Sequence, residues 1–536
     1  MSLSHLLFRR RTRPFAAAVP LLLVTCTLAA CGSEEEQKAA APTDGPATLA
    51  PSNAIAYGEV LVRPEGDVEE GVLTAARRML RVTDPGRELR RLLDEGLEET
   101  DRNFFSEEID PFLGDSIGGF LLIENPAEAE SPDGAVIIEV RDQAAAERAL
   151  ARDVDPADRR ATYEGVEYTV DADDGSAYGF VDDYLVGGTE EGFRAAVAAS
   201  RGRSLADEER FTDAADGLPE DRLAWGYAEP RMIVELLREQ ALADPELRGA
   251  LEGQEEQLDR ALGSEPITMA LTARADQVVF EFASGSAELP TAGDSAVALG
   301  DLPGEAWAAL AAPLDGETIT QQLRQSEVYD MAATEVRNLL GLDLDADLLG
   351  WLDGVAAFVG GTSLTDAAAG IVLGSSDPAA TERAVDGIER FAKRSGLSTT
   401  PTTGGGHGFQ LHFPQVPQPL ALLADGDKLA LGLGVASARE ALDPESPLSE
   451  TEPGKSAIES LGDGYEAGFL LVPGPLMSLL EGFGVDQDPD FAEIRSYVSA
   501  YRSIVAGTKQ DGDRVSAKLV LNLQDPDDDA GDDTTP

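Results

Sequence analysis

An α+β fold is predicted, made of two tandem pseudo-repeats, each a mainly antiparallel sheet covered by helices. The first observation behind it is internal similarity. Residues 135–150 read AVIIEVRDQAAAERAL and residues 370–385 read GIVLGSSDPAATERAV, aligned without a gap, so that Asp142 matches Asp377, Glu147 matches Glu382 and Arg148 matches Arg383. The second is that five further segment pairs keep one order along the chain. The third is patterning. Strands joined by short turns pair antiparallel, and Val278-Phe280-Phe282 against Val279-Glu281 alternates with period two, which buries one face for helices to cover.

Each copy opens on a strand, within SNAIAYGEVLVRPEG (52–66) and GEAWAALAAPLDG (304–316). In the first copy Asp84-Pro85 supplies an N-cap and first helical position, and Leu89, Leu92, Leu93 and Leu97 form the apolar stripe of a core-packing helix. PFLGDSIGGFLL (111–122) and GWLDGVAAFVGG (350–361) each start with an aromatic-Leu pair, turn on Gly and Asp, and run into a strand. The next strand ends at Asp142 or Asp377, an N-cap before an Ala-rich helix. DDYLVGGTEEGFRAAV (182–197) and GDKLALGLGVASAREAL (426–442) read as hairpin tip, strand and helix. AWGYAEPRMIVELL (224–237) and GFLLVPGPLMSLL (468–480) read as a strand ending in Pro, then a helix with paired leucines. Hairpins at 267–284 and 503–523 close the copies. One copy is therefore strand, helical segment, two strands, helix, three strands, helices, strand, helices, hairpin. The copies span 49–286 and 294–524, with a boundary near Ser286 to Ala296.

The ends are not part of this body. Arg9, Arg10, Arg11 and Arg13 precede an uncharged run from Phe15 to Ala30 centred on Leu21-Leu22-Leu23-Val24, a signal-peptide pattern too short to span a bilayer as a helix. It ends in Leu28-Ala29-Ala30-Cys31-Gly32-Ser33, which resembles the lipobox of bacterial lipoproteins. The resemblance implies cleavage of 1–30 and lipid attachment (thioether-linked diacylglycerol, with palmitate-type chains) at Cys31. Cys26 leaves with the signal, so no disulfide within the mature chain is expected. Residues 31–48 form a flexible tether and 525–536 an acidic disordered tail. Two or three acyl chains hold a protein stably, so the expected partner is the membrane, through the anchor, on the extracytoplasmic face.

Composition narrows the function. Of 536 residues 43% are hydrophobic, enough for substantial cores, and Lys+Arg 42 against Asp+Glu 99 leaves a net charge of −57 that repels phosphate backbones. No nucleic-acid partner is expected. With two Cys and three His, no metal site and no cofactor are expected.

The opening Ala54-Ile55-Ala56-Tyr57-Gly58-Glu59-Val60, the Leu113-Gly114-Asp115 turn and Leu299-Gly300-Asp301-Leu302-Pro303 together resemble a family of long bacterial lipoproteins, a domain of unknown function from high-GC Gram-positive bacteria. The resemblance covers roughly the whole mature chain. It implies a lipid-anchored envelope protein and carries over no catalytic residue.

No serine nucleophile elbow and no phosphate loop are expected. His412 lies in Gly408-Phe409-Gln410-Leu411-His412-Phe413, where Phe409, Leu411 and Phe413 share the core face and Gln410 and His412 point to solvent. His407 sits in a glycine turn. Asp171-Ala172-Asp173-Asp174-Gly175-Ser176 lacks the glycine and distal glutamate of a calcium loop and reads as a hairpin turn, while Asp343, Asp345 and Asp347 read as capping and solvation. Ser395 to Pro419, uncharged apart from its histidines, is the segment expected to touch a partner if there is one. The expected function is non-catalytic, structural or binding. Two alternatives are a carrier of an apolar ligand, which needs an apolar cavity between sheet and helices, and a carboxylate-dependent envelope hydrolase, which needs a carboxyl of raised pKa in an apolar cleft.

Overall fold

The computed structural model describes residues 45–96, 105–123, 132–152, 155–232, 234, 238, 265–285, 297–326, 328–363, 365–402, 406–413, 418–485 and 489–525 except 513. The anchor and most of the tether, Leu97, the boundary 286–296 and all but the first residue of the tail lie outside them. The chain divides into two compact units, Met1–Ala287 with Gly512–Ser516, and Glu288–Asp511 with Ala517–Pro536.

In the first unit the strands are β1 (Ala56–Leu61), β2 (Leu113–Leu122), β3 (Asp133–Val140), β4 (Arg159–Tyr163), β5 (Val166–Val170), β6 (Ser176–Val181), β7 (Tyr184–Thr189), β8 (Arg222–Ala228), β9 (Glu265–Arg274) and β10 (Gln277–Gly285). They form an antiparallel sheet in the order β4-β5-β6-β7-β3-β2-β1-β8-β9-β10. Four strands, not the expected three, separate the helix after β3 from the helices that follow. The extra one, β4, has the exposed sequence Arg-Arg-Ala-Thr-Tyr, whose apolar content is too low to announce a strand.

The unit's helices include α1 (Gly66–Leu80), α2 (Pro85–Gly96), α3 (Gln143–Ala151), α4 (Glu190–Ala199) and α5 (Glu209–Asp216). Asp84 caps α2 by accepting from the Arg87 amide at 3.0 Å, as its sequence position predicts, and Leu89 is buried; Leu92, expected in the core stripe, is exposed. Helices cover both faces of the sheet rather than one. On the face shared by Tyr57, Phe120, Ile137, Trp225 and Tyr227 pack Phe193 and Ala196 of α4 and Phe211 of α5. On the opposite face Ile138 and Leu185 meet Ala146 and Leu150 of α3, with Phe105, Ile109 and Phe112 beside them. This second core draws on Phe105, Ile109 and Phe112, which precede β2, and on α3, elements brought to the sheet by tertiary packing that strand alternation alone does not reveal. Phe280 and Phe282, expected on the buried face of β10, are 42% and 41% exposed.

In the second unit the strands are β11 (Ala306–Pro313), β12 (Leu352–Gly360), β13 (Ala368–Ser375), β14 (Ser398–Pro401), β15 (His407–His412), β16 (Leu420–Asp425), β17 (Lys428–Leu433), β18 (Glu466–Leu471), β19 (Tyr501–Asp511) and β20 (Arg514–Leu523). Their order is β14-β15-β16-β17-β13-β12-β11-β18-β19-β20. The helices are α6 (Gly316–Arg324), α7 (Tyr329–Leu340), α8 (Pro378–Arg394), α9 (Gly434–Leu442), α10 (Gly454–Ser460), α11 (Pro473–Gly482) and α12 (Pro489–Val498). α8 packs Ala380, Ala384 and Val385 against Trp351, Phe409 and Leu429, while Ala438 of α9 meets Ala421 and Leu423 on the other face.

The two N-caps read from sequence are both in place. Asp142 accepts from the Ala145 amide at 2.9 Å and Asp377 from those of Ala379 and Ala380 at 3.0 and 3.1 Å. Their backbones share φ −135° and ψ 89°. A single π-helical turn precedes β2 at Phe105–Ile109 and another precedes β12 at Asp345–Leu349.

Candidate functional site: a glycine-floored apolar trough

In β1, β2 and β8 of the first unit a glycine occupies the same level of the sheet. Gly58 stands directly opposite Gly119 on one side and Gly226 on the other. The row ends in Val136, opposite Gly119, and Met269, opposite Gly226. Two residues away along the strands, Leu121, Ala56 and Ala228 form one wall and Ile117, Val60 and Ala224 the other, because side chains recur on one face with period two. The result is an apolar cavity of about 130 Å³.

The floor glycines leave space that a side chain would occupy. A Cβ on Gly58 would come no closer than 3.7 Å to any neighbour, the Trp225 carbonyl oxygen, and one on Gly119 no closer than 3.4 Å, the Ala135 carbonyl oxygen. Gly118 differs: on the other face its Cβ would fall 2.5 Å from Pro46, so that glycine is demanded by packing. Gly58 and Gly119 have no such requirement, and Gly in a strand interior forfeits stability relative to residues with side chains.

Beneath the floor, on the opposite face, Tyr57 donates from its hydroxyl to Glu59 Oε2 at 2.7 Å, and Glu59 faces Trp225 across the strand pair. Burial raises the Glu59 carboxyl above its ordinary range, with the Tyr57 and Trp225 hydrogen bonds and the Arg222 charge pulling the other way. Arg222, 8% exposed, lies over the Trp225 ring at 5.6 Å. A carboxyl whose folded pKa is raised stabilises the fold below its unfolded pKa and loses that contribution as pH rises through the folded value. Glu59→Gln keeps an acceptor for Tyr57. It should match or exceed the parent in stability at neutral pH, with the difference vanishing below about pH 4.5, the reference value for the free side chain. Urea titrations of both proteins at several pH values read this directly; a Gln variant less stable than the parent only at neutral pH would reverse the sign.

At the centre of the second unit's sheet a row runs Leu431, Ile371, Ala357, Leu310, Phe469, each opposite the next. No glycine interrupts it. Leu310 is 47% exposed, Ile371 44% and Phe469 39%, so this row stands as an apolar ridge.

The residues singled out by sequence lie elsewhere. Cys31 is outside the described residues. His412 is exposed, its Nε2 2.9 Å from Thr400 Oγ1, with Phe409 buried beneath; His407 is exposed with Nε2 2.8 Å from Asp386 Oδ1. Among the described residues no cluster of His, Cys, Asp and Glu has metal-binding geometry. Asp171 to Ser176 forms the turn between β5 and β6, with Asp171 Oδ1 accepting from the Asp173 amide at 2.8 Å. Asp343 accepts from the Asp345 and Ala346 amides, and Asp345 and Asp347 also pair with Arg324 and Arg383. Within Ser395 to Pro419, β14 and β15 pair with each other and 403–405 and 414–417 are outside the described residues.

Two local patterns run against the expectation of no nucleophile or phosphate motif. Gly114-Asp115-Ser116-Ile117-Gly118 has elbow spacing, but it lies inside β2 instead of at a strand-to-helix turn, and Ser116, 6% exposed, donates to Glu139 Oε2 at 2.9 Å. Gly454-Lys455-Ser456 opens α10, but Ser449 stands where a phosphate loop needs its first glycine, and Lys455 pairs with Glu459. The trough itself was not visible in the sequence, since the signal is a register between three strands far apart in the chain.

A family model described as a protein of unknown function matches residues 15–487. Among solved structures, crystal form III of TP0453 is 12% identical with a TM-score of 0.26, over 46% of this chain and 82% of that one. Crystal form I of TP0453 is 13% identical with a TM-score of 0.25, over 46% and 81%. No curated protein matches the chain.

Proposed function

The chain belongs to the family that this model defines, DUF3352, and from that premise, which brings no activity with it, we propose that the protein is a lipid-anchored extracytoplasmic binding protein whose first unit holds an apolar ligand in the glycine-floored trough. The observation that carries the reading is the alignment of Gly119, Gly58 and Gly226 at one level of the sheet, with room above Gly119 and Gly58 that local packing does not require and the flexible Met269 side chain beside Gly226, its Cγ 2.9 Å from where a Cβ there would stand. An empty apolar cavity stays poorly hydrated and gains free energy when an apolar group fills it.

The anchor belongs to the proposal through Cys31 and the signal-like sequence before it, a pattern that supports a body held at the outer face of the membrane. Two tandem repeats, 49–286 and 294–524, are likewise proposed: the strand order of the second unit repeats that of the first, and Asp142 and Asp377 cap corresponding helices with the same backbone angles. A hydrolase acting in the trough is not supported. The carboxyl raised by burial, Glu59, projects to the face opposite the trough, since adjacent strand residues point to opposite sides.

Gly58→Val separates this reading from a structural defect. Valine suits a strand, and its Cβ has room, so thermal stability should hold or rise slightly. The fluorescent apolar probe N-phenyl-1-naphthylamine should bind the parent saturably and the variant at least tenfold more weakly. Equal probe binding by both proteins would remove the trough as the site.

A further inference from the structure

Resting on the apolar-ligand reading, we infer that the trough takes one unbranched hydrocarbon chain, lying across the strands, and that the molecule holds one such chain. The first ground is shape. The walls stand four residues apart along each strand, about 13 Å between Cα atoms before their side chains narrow the gap, while the glycine floor crosses two strand spacings, about 10 Å from Gly119 to Gly226, and continues as an apolar row through Val136 at one end and Met269 at the other. The flexible Met269 side chain stands at one end of this slot, so a slender chain that bends along the row suits it better than the rigid four-ring body of a sterol.

The second ground is chemistry. The side chains that face the slot are aliphatic apart from the Met269 thioether, a soft group that adapts to an irregular neighbour. A hydroxyl or amide laid on this floor would lose its hydrogen bonds to water without replacement, so the enclosed part of the ligand carries none. Any polar head remains in water. Phe282, opposite Met269 and 41% exposed, marks an apolar continuation of the row at that end.

The third ground is the second unit. Matching residues 135–150 to 370–385 pairs Val136 with Ile371, and following the registers from Ile371 leads to Ala357, Leu310 and Phe469 where the first unit has Gly119, Gly58 and Gly226. Side chains occupy the corresponding floor, so among the described residues the second unit's sheet has no matching slot.

The test is calorimetric titration of the full chain carrying Cys31→Ser, which lacks an acyl chain of its own, with fatty acids from octanoic to hexadecanoic and with cholesterol. One site per molecule is expected, with affinity rising roughly fourfold per added methylene until the slot is filled. Cholesterol should bind more weakly than hexadecanoic acid, and Gly58→Val should abolish the chain-length dependence. Cholesterol binding as tightly as hexadecanoic acid, or two equivalents of chain, would overturn this inference while leaving the apolar-ligand reading intact. Failure of N-phenyl-1-naphthylamine and every lipid alike would overturn that reading with it. Lipidated protein that binds no added acid, beside Cys31→Ser protein that does, would identify the protein's own acyl chain as the occupant and uphold the chain chemistry.

Discussion

Phe211→Ala should destabilise the first unit by about 3–5 kcal/mol, a large part of the 5–15 kcal/mol typical of a domain. Phe211 is fully buried on α5 and its ring meets Tyr57 at 5.5 Å, Trp225 at 5.2 Å and Tyr227 at 5.1 Å between centroids. Truncation leaves a void bounded by three aromatic rings fixed to β1 and β8, strands that cannot close over it without moving the sheet. Phe280→Ala and Phe282→Ala are the controls, since both rings are exposed and each should fall within about 0.5 kcal/mol of the parent. Urea unfolding followed by tryptophan fluorescence, with Trp225 in the affected cluster, gives all three values. Equal losses for Phe211 and Phe280 would mean that the tyrosine-bearing face is not the packed one.

Cys31→Ser should eliminate acylation almost completely and leave the leader 1–30 attached. After cleavage Cys31 is the one thiol of the chain, so no second residue can accept the thioether. Incorporation of labelled palmitate into the parent and its absence from the variant is the expected pair of results. The retained leader appears as a larger mass. Because the uncleaved leader is itself apolar, membrane fractionation alone would not discriminate; the label and the mass do. Variant protein that still carries label would place the lipid elsewhere and withdraw the anchor from the proposed function.

Much of the architecture was legible because it depends on local chemistry. Asp before an Ala-rich run announces a helix start wherever it occurs, and Asp142 and Asp377 are caps in the structure. The antiparallel hairpins followed from short turns between apolar runs. What escaped were features that depend on pairing at a distance. β4 is a strand through its partner β5, with little in Arg159 to Tyr163 to declare it. Phe280 and Phe282 alternate as buried residues do, yet they are 42% and 41% exposed, because alternation marks a face without saying what packs on it. The trough is the sharpest case. Gly58, Gly119 and Gly226 are unremarkable singly, and only the register that sets them side by side turns three missing side chains into one space.

The place of β1 in the sheet governs the order in which the molecule can be completed. β1 is among the first elements of the unit to be synthesised, yet it lies in the middle of the finished sheet, between β2 and β8, whose pairing joins Gly58 to Gly226. β11 lies likewise between β12 and β18. In each unit the early strand keeps one edge open until the chain has travelled through the region from β3 to β7, or from β13 to β17, and contacts of such sequence separation form slowly because loop closure must come first. An unpaired strand edge is a template for the wrong partner during that interval. Gly58 on that waiting edge gives the strand less apolar surface to offer, so the same residue that opens the trough in the finished protein also makes its unfinished sheet a poorer surface for aggregation.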